Sequence, residues 1–527
     1  MALHRLSVVV LLFSTVASVT AQTRVIVRSG DRVPGVIGTR SFWNFGSVRA
    51  GPAGVAFVGH FPGDELARSP AVYLASQDTL QVIAMQGEFA ADFVDIRFDS
   101  PWPLSMDAAG NVLFLSSLSG FDAGTGDPNC WLGNGTDRNS LVPKNQPSDI
   151  DGFFYENVGS CAVSDDGLVA GRGQLLSESE TRHAALWRYQ DGQFETLAYA
   201  SGGIPGWSGE FLNFESVQAL DNNQILFRAQ TYLPAYPDLM NDEYGTLWRY
   251  QDGEFQLLGR SGQQTTSGLE LFGFSSYVYN ESGVAYISHS VDALTVAYTS
   301  FDQITTEVVS TGDDVPLREG TSILREIRGD NFSDSSSGLR MTDDGAVLIH
   351  GVHINQERDY GGEALWIARP GEPLRYVAGY GDPVPGRPND AIGYMDHGFN
   401  TFYEYAMNPD GTVAFLAATE QSNWTLWISE PDAQAPQPVL FSGDDFVFAD
   451  GSTRTIQQIL FDAGHTDSRS NRRFTTADSE FPVHLLFTDG SSAIVAITVP
   501  EPNGRHGGLV LFVGILAAHR RRKSSCV

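Results

Sequence analysis

The sequence is poor in basic residues. Among its 527 residues, 33 Lys and Arg stand against 63 Asp and Glu, which gives a formal net charge of −30. A protein that binds nucleic acid needs a basic surface to displace counterions from the phosphates, so the composition predicts no nucleic-acid partner. The acidity has two interpretations, a self-repelling soluble surface or a surface that attracts cations, and the sequence leaves both open.

Cysteine is scarce as well, with three residues in the whole chain. Cys526 lies near the C-terminus, in a tail that the sorting described below would remove. In an exported protein Cys130 and Cys161 are permitted to form a disulfide, and two buried free thiols are the alternative. Neither cysteine has a neighbouring pair of histidines, so no zinc site is predicted.

Recognised catalytic motifs are missing too. The chain has no G-x-S-x-G nucleophile elbow, no phosphate-binding glycine loop and no complete calcium loop. His350 and His353 lie at the end of a predicted strand at a spacing that directs their rings to opposite faces, so no shared metal is expected. We therefore predict a protein without catalytic residues, cofactor or metal site, and keep calcium stabilisation as a further option. A glycosidase needs only two carboxylates, so a secreted glycan hydrolase or lyase with carboxylates in a central channel is the alternative.

What the chain does contain is a repeat. A turn rich in Gly, Asp and Asn precedes a short apolar strand seven times, at intervals of about 56 to 66 residues. Gly or Asn tolerates positive φ in such a turn, and Asp and Asn side chains hydrogen-bond the nearby backbone. The paired acids in these turns are therefore interpreted as turn residues. The seven turns contain Gly54, Gly110, Gly167, Asn223, Gly283, Gly345 and Gly411.

Each turn is followed by a strand that carries an aromatic residue. Arg188–Phe194 and Arg249–Phe255 are near-copies in which Asp-Gly separates two strands, which is the strongest short hairpin signal. We expect the tryptophans, which are large and apolar, to pack between neighbouring sheets. The marker residues are Tyr73, Trp131, Trp187, Trp248, Tyr298, Trp366 and Trp427.

These repeats predict an all-β fold, a β-propeller. Seven full units precede a truncated one with a hairpin around Asp489 and Gly490, and the chain begins at Arg24–Ser29 with a strand like the one that ends the other units. We predict eight blades of about 59 residues, closed into a ring when this N-terminal strand joins the last sheet. Seven blades are the alternative if Phe446–Phe481 forms no blade strands. Helical periodicity is confined to the two termini.

The N-terminus carries an export signal. His4 and Arg5 precede the apolar run Leu6–Leu12, and small residues follow at Val19–Ala21. This pattern is typical of a secretory signal peptide. We assign residues 1–21 to the signal and 22–498 to the propeller.

Residues 499–527 hold a Pro-Glu-Pro tripeptide, an apolar segment and a basic cluster. This order resembles the PEP-CTERM sorting signal of bacteria that make extracellular polysaccharide. The resemblance implies an exosortase-type partner, transient anchoring in the inner membrane with the basic residues on the cytoplasmic side, and processing near the tripeptide. The apolar segment Gly507–Ala518 is shorter than the about 20 residues of a full span, and an ordinary anchor or frayed tail is the alternative. The residues that carry the resemblance are Pro500, Glu501, Pro502, Arg520, Arg521 and Arg522.

The repeat itself resembles a bacterial family of secreted tandem-repeat proteins with the motif N-x-x-G-x-x-A-F and varied C-terminal surface anchors. Asn408–Phe415 fits this motif at every position, whereas Asn280–Tyr286 is one residue short. The resemblance implies a β-propeller and an exported location, and it supplies no catalytic residue.

Together these observations predict a non-enzymatic binding or scaffold module at the cell surface or in the extracellular matrix. Extracellular polysaccharide is the expected partner, on the analogy of the sorting signal, besides the sorting machinery and the membrane reached by the C-terminal segment. Irregular loops on a rigid ring are the expected specificity elements. The candidate loops are Phe121–Asp151, Tyr232–Tyr244 and Asp330–Ser337.

Overall fold

The protein is an all-β, eight-bladed β-propeller. The computed structural model describes residues 23–36, 39–62, 68–77, 79–90, 96–119, 129–141, 147–235, 245–280, 282–290, 293–328, 339–354, 360–393, 401–431, 433–461, 475–476 and 479–498. Strands and turns make up this part of the chain, and each blade is a small antiparallel sheet. The predicted fold class is confirmed.

The first four blades follow one another along the chain. After β1 (Thr23–Arg28), blade 1 contains β2 (Asn44–Gly51), β3 (Gly54–Pro62), β4 (Arg68–Ser76) and β5 (Thr79–Met85). A separate two-stranded sheet pairs β6 (Arg97–Phe98) with β9 (Leu118–Ser119), and blade 2 contains β7 (Trp102–Met106), β8 (Val112–Ser116), β10 (Asn129–Gly133) and β11 (Arg138–Ser140). Blade 3 contains β12 (Phe153–Val163), β13 (Val169–Ser177), β14 (Arg182–Gln190) and β15 (Gln193–Tyr199), and blade 4 contains β16 (Glu210–Leu220), β17 (Gln224–Tyr232), β18 (Thr246–Gln251) and β19 (Glu254–Gly259).

Of the last four blades, blades 5, 6 and 8 carry additional strands. Blade 5 contains β20 (Gln263–Gln264), β21 (Glu270–Tyr279), β22 (Gly283–His289), β23 (Leu294–Ser300) and β24 (Thr305–Ser310). Blade 6 contains β25 (Asp314–Pro316), β26 (Thr321–Ile327), β27 (Arg340–Met341), β28 (Val347–Ile354), β29 (Tyr360–Ala368) and β30 (Arg375–Gly379). Blade 7 contains β31 (Phe402–Met407), β32 (Val413–Thr419), β33 (Ser422–Ser429) and β34 (Gln437–Phe441), and blade 8 contains β35 (Asp445–Val447), β36 (Thr453–Leu460), β37 (Glu480–Phe487) and β38 (Ser492–Thr498).

The ring closes through the N-terminal strand. In blade 8 the strand order is β1-β38-β37-β36-β35, and β1 pairs antiparallel with β38, so that Thr23 lies opposite Ile497 and Val25 opposite Val495. Because β35 and β36 come from Phe446–Phe481, that stretch does form blade strands. Both the eighth blade and the closure are confirmed, and the seven-blade alternative is wrong.

The outer hairpins follow from the Asp-Gly pairs in the sequence. Asp191 and Gly192 have φ of 51° and 79°, and Asp252 and Gly253 have φ of 51° and 91°. Positive φ at both central residues defines the type I′ turn, whose twist matches that of the flanking strands. The two near-copies therefore form equivalent edges of blades 3 and 4.

The innermost strands are irregular. Each shifts register at a bulge, for example between Gly46 and Val48 in β2 and between Phe214 and Ser216 in β16. In blade 6 this strand is in two pieces, since β26 and β27 both pair with β28. Bulges bend a strand and increase its twist, so they shape the wall nearest the axis of the ring.

Aromatic side chains fill the space between blades, as predicted. Trp131, Trp248, Trp366 and Trp427 are among the largest fully buried side chains. In blade 5 the buried ring is instead Tyr286, one strand before the predicted marker, with 0% exposure. Tyr298 lies in the outer part of that blade, partly exposed, with its hydroxyl 3.0 Å from Ser282 Oγ.

Candidate functional site

The turns between the first and second strands of the blades converge on one cavity. It has a volume of about 160 Å³, and its wall includes residues from blades 1 to 7. Seven blades of one ring reach a common space only near the ring axis, so this axial cavity lies at one mouth of the central channel. Blades 1 to 7 contribute, among others, Gly51, Ser105, Asp165, Gln218, Tyr279, Asp343 and Pro409.

Local hydrogen bonds shape each turn. In blade 2, Asp107 Oδ1 accepts from the Asn111 backbone N–H at 2.8 Å, and Gly110 has a φ of 86°. In blade 5, Asn280 Oδ1 accepts from the backbone N–H of Gly283 at 3.0 Å. Side-chain oxygens of Asp and Asn stabilise turns in this way, as the sequence predicts for the polar residues of these turns.

The same turns also join neighbouring blades, which the sequence does not reveal. The Ala108 N–H donates to the Asp165 carbonyl at 3.0 Å, between blades 2 and 3. Between blades 3 and 4, the Asp166 N–H donates to Asp221 Oδ1 at 3.1 Å, and the Asn222 N–H donates to Asp166 Oδ2 at 3.0 Å. These contacts hold the mouth of the channel together.

The axial cavity is rich in hydrogen-bond acceptors. Its charged wall residues are Asp165, Asp221 and Asp343, all acidic. Ser105 and Gln218 also line it; they are only 3% and 5% exposed, and Ser105 Oγ and Gln218 Oε1 have no hydrogen-bond partner. A buried polar atom without a partner costs free energy, so these two atoms indicate a position where a donor group would be stabilised.

A second concave site lies at the side of the ring, between the outer hairpins of blades 4 and 5. We call it the side groove; it has a volume of about 680 Å³. Its wall consists of Trp207, Arg249, Gln251, Asp252, Glu254, Phe255, Gln256 and Gln303.

Internal contacts fix the indole of Trp207 in the side groove. Its Nε1–H donates to the Phe255 carbonyl at 2.9 Å, and its ring meets Trp248 edge to face at 5.2 Å. Arg249 is fixed as well, because it donates to Gln256 Oε1 at 3.2 Å and lies 4.2 Å from the Phe301 ring centroid. The groove thus combines a held aromatic surface with amide, carboxylate and guanidinium groups.

Blade 6 contains a buried ionic contact, and a backbone hydrogen bond joins it to blade 7. Glu363 has 0% side-chain exposure; its carboxylate accepts from the Thr401 N–H at 2.6 Å and lies 3.3 Å from Arg328 Nη2 and 3.6 Å from His350 Nε2. Burial alone would raise the pKa of Glu363, but the contacts with His350, Thr401 and Arg328 outweigh it, so that the pKa is lowered. This carboxylate is therefore held charged between two sheets.

Two more buried groups, His484 and Asp382, have shifted pKa values. His484 of blade 8 meets Phe45 of blade 1 edge to face at 6.1 Å, and burial, with a smaller effect of His60, lowers the pKa of His484 to about 4. Burial raises the pKa of Asp382, which accepts a hydrogen bond from the Tyr376 hydroxyl at 2.8 Å. Among the described residues, Glu363 and Asp382 thus belong to blade 6, whereas His484 lies at the contact of blade 8 with blade 1.

The two histidines singled out in the sequence point to opposite faces of blade 6, as predicted. His350 meets Phe402 of blade 7 at 5.5 Å, and His353 meets Trp366 at 6.3 Å, with its Nδ1 3.1 Å from Ser322 Oγ. Among the described residues, no group of three His, Cys, Asp or Glu side chains is placed to hold a metal ion.

Cys130 of β10 and Cys161 of β12 are paired in the structure, with Cα atoms 6.6 Å apart. The pair joins blade 2 to blade 3, and both side chains lie in the core, at 0% and 3% exposure. Whether the bond forms in solution stays a prediction.

Several predicted segments fall outside the described residues. The signal peptide lies there, as do Pro500, Glu501, Pro502, Arg520, Arg521 and Arg522. Large parts of the three candidate loops lie there too, including Tyr236 and Tyr244. Over the described ranges, the fold contains no helix long and apolar enough to cross a membrane.

The sequence matches the profile of a protein family described as "Family of unknown function (DUF7453)", over residues 10–142, 138–346 and 241–506. No curated protein matches the chain. Structural similarity to known propellers is broad but distant.

The Dos1 propeller has a TM-score of 0.39 at 12% identity, covering 87% of this chain and 94% of the other. The β-propeller domain of the Trilobed protease from Pyrococcus furiosus, described as having an open velcro topology, has a TM-score of 0.35 at 10% identity and coverages of 76% and 99%. A lectin of Aleuria aurantia in complex with alpha-methyl-L-fucoside has a TM-score of 0.25 at 10% identity and coverages of 63% and 93%.

Proposed function

This chain belongs to the family of unknown function DUF7453, and we propose that it is an exported, non-enzymatic binding propeller that holds extracellular polysaccharide in the side groove. The proposal rests on the chain's own geometry. Its central observation is the fixed, partly exposed indole of Trp207 beside six polar side chains in a groove of about 680 Å³.

The chemistry of the groove suits a sugar chain. A pyranose ring has apolar C–H faces and a rim of hydroxyl groups, and an indole offers a flat apolar face of matching size. Around it, Arg249, Gln251 and Gln256 supply donors and acceptors, while Asp252 and Glu254 accept from hydroxyls. Because the Trp207 Nε1–H is already bonded to Phe255, the ring is held in place before a ligand arrives, which lowers the entropy cost of binding.

The shape of the site favours a polymer. The groove is open at the side of the ring, between hairpins of two blades, so a chain can pass through it without threading the channel. A closed ring adds rigidity, since its sheets lack the free edges of an open array. Residues 1–21 and 499–527, with their signal-peptide and PEP-CTERM-like patterns, support export and sorting to the cell surface or matrix.

A glycan array tests the proposal. We expect the purified protein to bind a subset of polysaccharides and to release no sugar from them. Trp207→Ala should reduce binding at least about tenfold, because stacking on an aromatic ring is lost. Trp43→Ala is the matched control, since Trp43 is 46% exposed but lies in blade 1.

A second variant separates binding from folding. Gln303→Ala changes an exposed residue of the groove and should weaken binding with an unchanged melting temperature. Equal binding by the wild type, Trp207→Ala and Gln303→Ala would refute the groove as the site. Released oligosaccharide would refute the non-enzymatic function, and loss of binding in EDTA would show that calcium is required.

A further inference from the structure

We propose that the axial cavity is a second, separate binding site that takes the primary ammonium group of an amino sugar. The site is independent of the side groove. It lies at the channel mouth, where the innermost turns of seven blades meet, and not at the outer edge of blades 4 and 5.

Two buried acceptors define the inner wall of the cavity. Ser105 Oγ and Gln218 Oε1 lie on the innermost strands of blades 2 and 4, are almost fully buried, and have no hydrogen-bond partner. A ligand that donates to both atoms removes the cost of burying them unpaired. An ammonium group carries three donors and no acceptor, which matches this wall.

The negative charge of the cavity wall also favours an ammonium group. Asp165, Asp221 and Asp343 surround the cavity, and none of the described residues that line it is basic. A cleft lined by one sign of charge concentrates the field and attracts a counter-ion of opposite sign. A neutral sugar hydroxyl could donate a hydrogen bond to these groups, but it would gain no charge attraction from the three carboxylates.

Size and ligand geometry favour an organic cation over a metal ion. Calcium takes six to eight oxygen ligands at short distance, and the described residues contain no trio of side chains placed to hold a metal. A volume of about 160 Å³ corresponds to roughly five water molecules. The cavity therefore admits an ammonium group with part of the ring or chain that bears it.

Calorimetric titration with two matched sugars tests the proposal. At about pH 6.5 glucosamine carries a protonated amine, whereas N-acetylglucosamine is neutral with nearly the same ring. We expect glucosamine to bind at least about tenfold more tightly, with an affinity that falls as salt is added. Equal affinities, or no binding of glucosamine at millimolar concentration, would overturn the proposal, and tight calcium binding that displaces glucosamine would replace it with a metal site.

Variants localise the site. Gln218→Leu and Asp221→Asn should each reduce glucosamine affinity about tenfold, while Asp191→Asn, an acid in an outer hairpin with the same tolerance for positive φ, should leave it unchanged. If Gln218→Leu lowers the melting temperature, Ser105→Ala is the smaller change that still removes one acceptor. Trp207→Ala should leave glucosamine binding intact, so that loss of polysaccharide binding and loss of ammonium binding are separate results.

Discussion

Arg24 and Glu480 form a two-pronged ion pair although they lie 456 positions apart, with Nε to Oε1 at 2.9 Å and Nη2 to Oε2 at 2.5 Å. The pair crosses the seam at which β1 joins the C-terminal strands. Arg24 is 43% exposed at its side chain, so solvent screens the interaction. The backbone pairing of β1, and not this ion pair, must supply the strength of the closure.

Deletion of β1 is therefore expected to damage the fold far more than Arg24→Ala. Without residues 23–28, β38 becomes an exposed edge strand, which invites aggregation. Arg24→Ala should change the free energy of unfolding by less than about 1 kcal/mol. Chemical denaturation and size-exclusion chromatography measure both effects, and a deletion mutant that stays monomeric and fully stable would contradict the structural role of the strand.

Reduction of the Cys130–Cys161 pair should destabilise the protein. A cross-link over a sequence separation of 31 residues lowers the entropy of the unfolded chain, which corresponds to about 3–4 kcal/mol. We expect the Cys130→Ser, Cys161→Ser double variant to melt at a lower temperature than wild type, and Cys526→Ser to match wild type. If alkylation of the unreduced, unfolded protein labels Cys130 and Cys161, the pair is not bonded and this expectation fails.

Glu363→Gln should be costly, because it removes the fully buried carboxylate that faces Arg328 and leaves the guanidinium only the more exposed Glu326 as a charged partner. Loss of one partner of a buried ion pair costs about 3–5 kcal/mol. Glu326→Gln is the control: Glu326 also contacts Arg328, at 2.9 Å, but its side chain is 38% exposed, so we expect less than about 1 kcal/mol. Urea denaturation distinguishes the two, and equal losses would disprove the importance of burial at this contact.

Stability should fall in mild acid because of His484. The folded protein keeps this ring neutral down to its pKa of about 4, whereas the unfolded chain binds the proton from the ordinary value of 6.5. The unfolded state therefore gains protons first as pH falls from 6.5 to 4, and stability drops by up to about 3 kcal/mol over this window.

His484→Phe should flatten that part of the pH profile, while His289→Gln, in the partly exposed end of β22, should not. Melting temperatures between pH 4 and pH 7 would show the difference. An identical pH profile for wild type and His484→Phe would mean that another group governs the acid response.

The architecture was accessible from the sequence because it is repeated. Local chemistry predicts the turns at Gly110 and Gly345, the Asp-Gly hairpins and the early strand Arg24–Ser29. The number of repeats then predicts the number of blades. In blade 5 the local pattern was misleading: Tyr298 occupies the marker position, but Tyr286 fills the core.

The axial cavity and the side groove could not be predicted from the sequence in this way. The axial cavity depends on where the ring axis lies, so no spacing brings Ser105 and Gln218 together before the ring is closed. The side groove likewise joins Trp207 to Gln303 of the next blade. The second near-copy, Arg249–Phe255, contributes residues to this groove. Its sequence pattern predicts a hairpin and does not by itself predict a binding site.

The pairing of β1 with β38 also sets a time order. The first strand of the domain has no partner until Ser492–Thr498 is available, so for most of its synthesis the chain holds an unpaired strand near its N-terminus. Contacts between such distant segments form slowly. The ring can therefore close only after the whole domain has been synthesised. A chain truncated anywhere before β38 would remain open, prone to self-association and exposed to proteases.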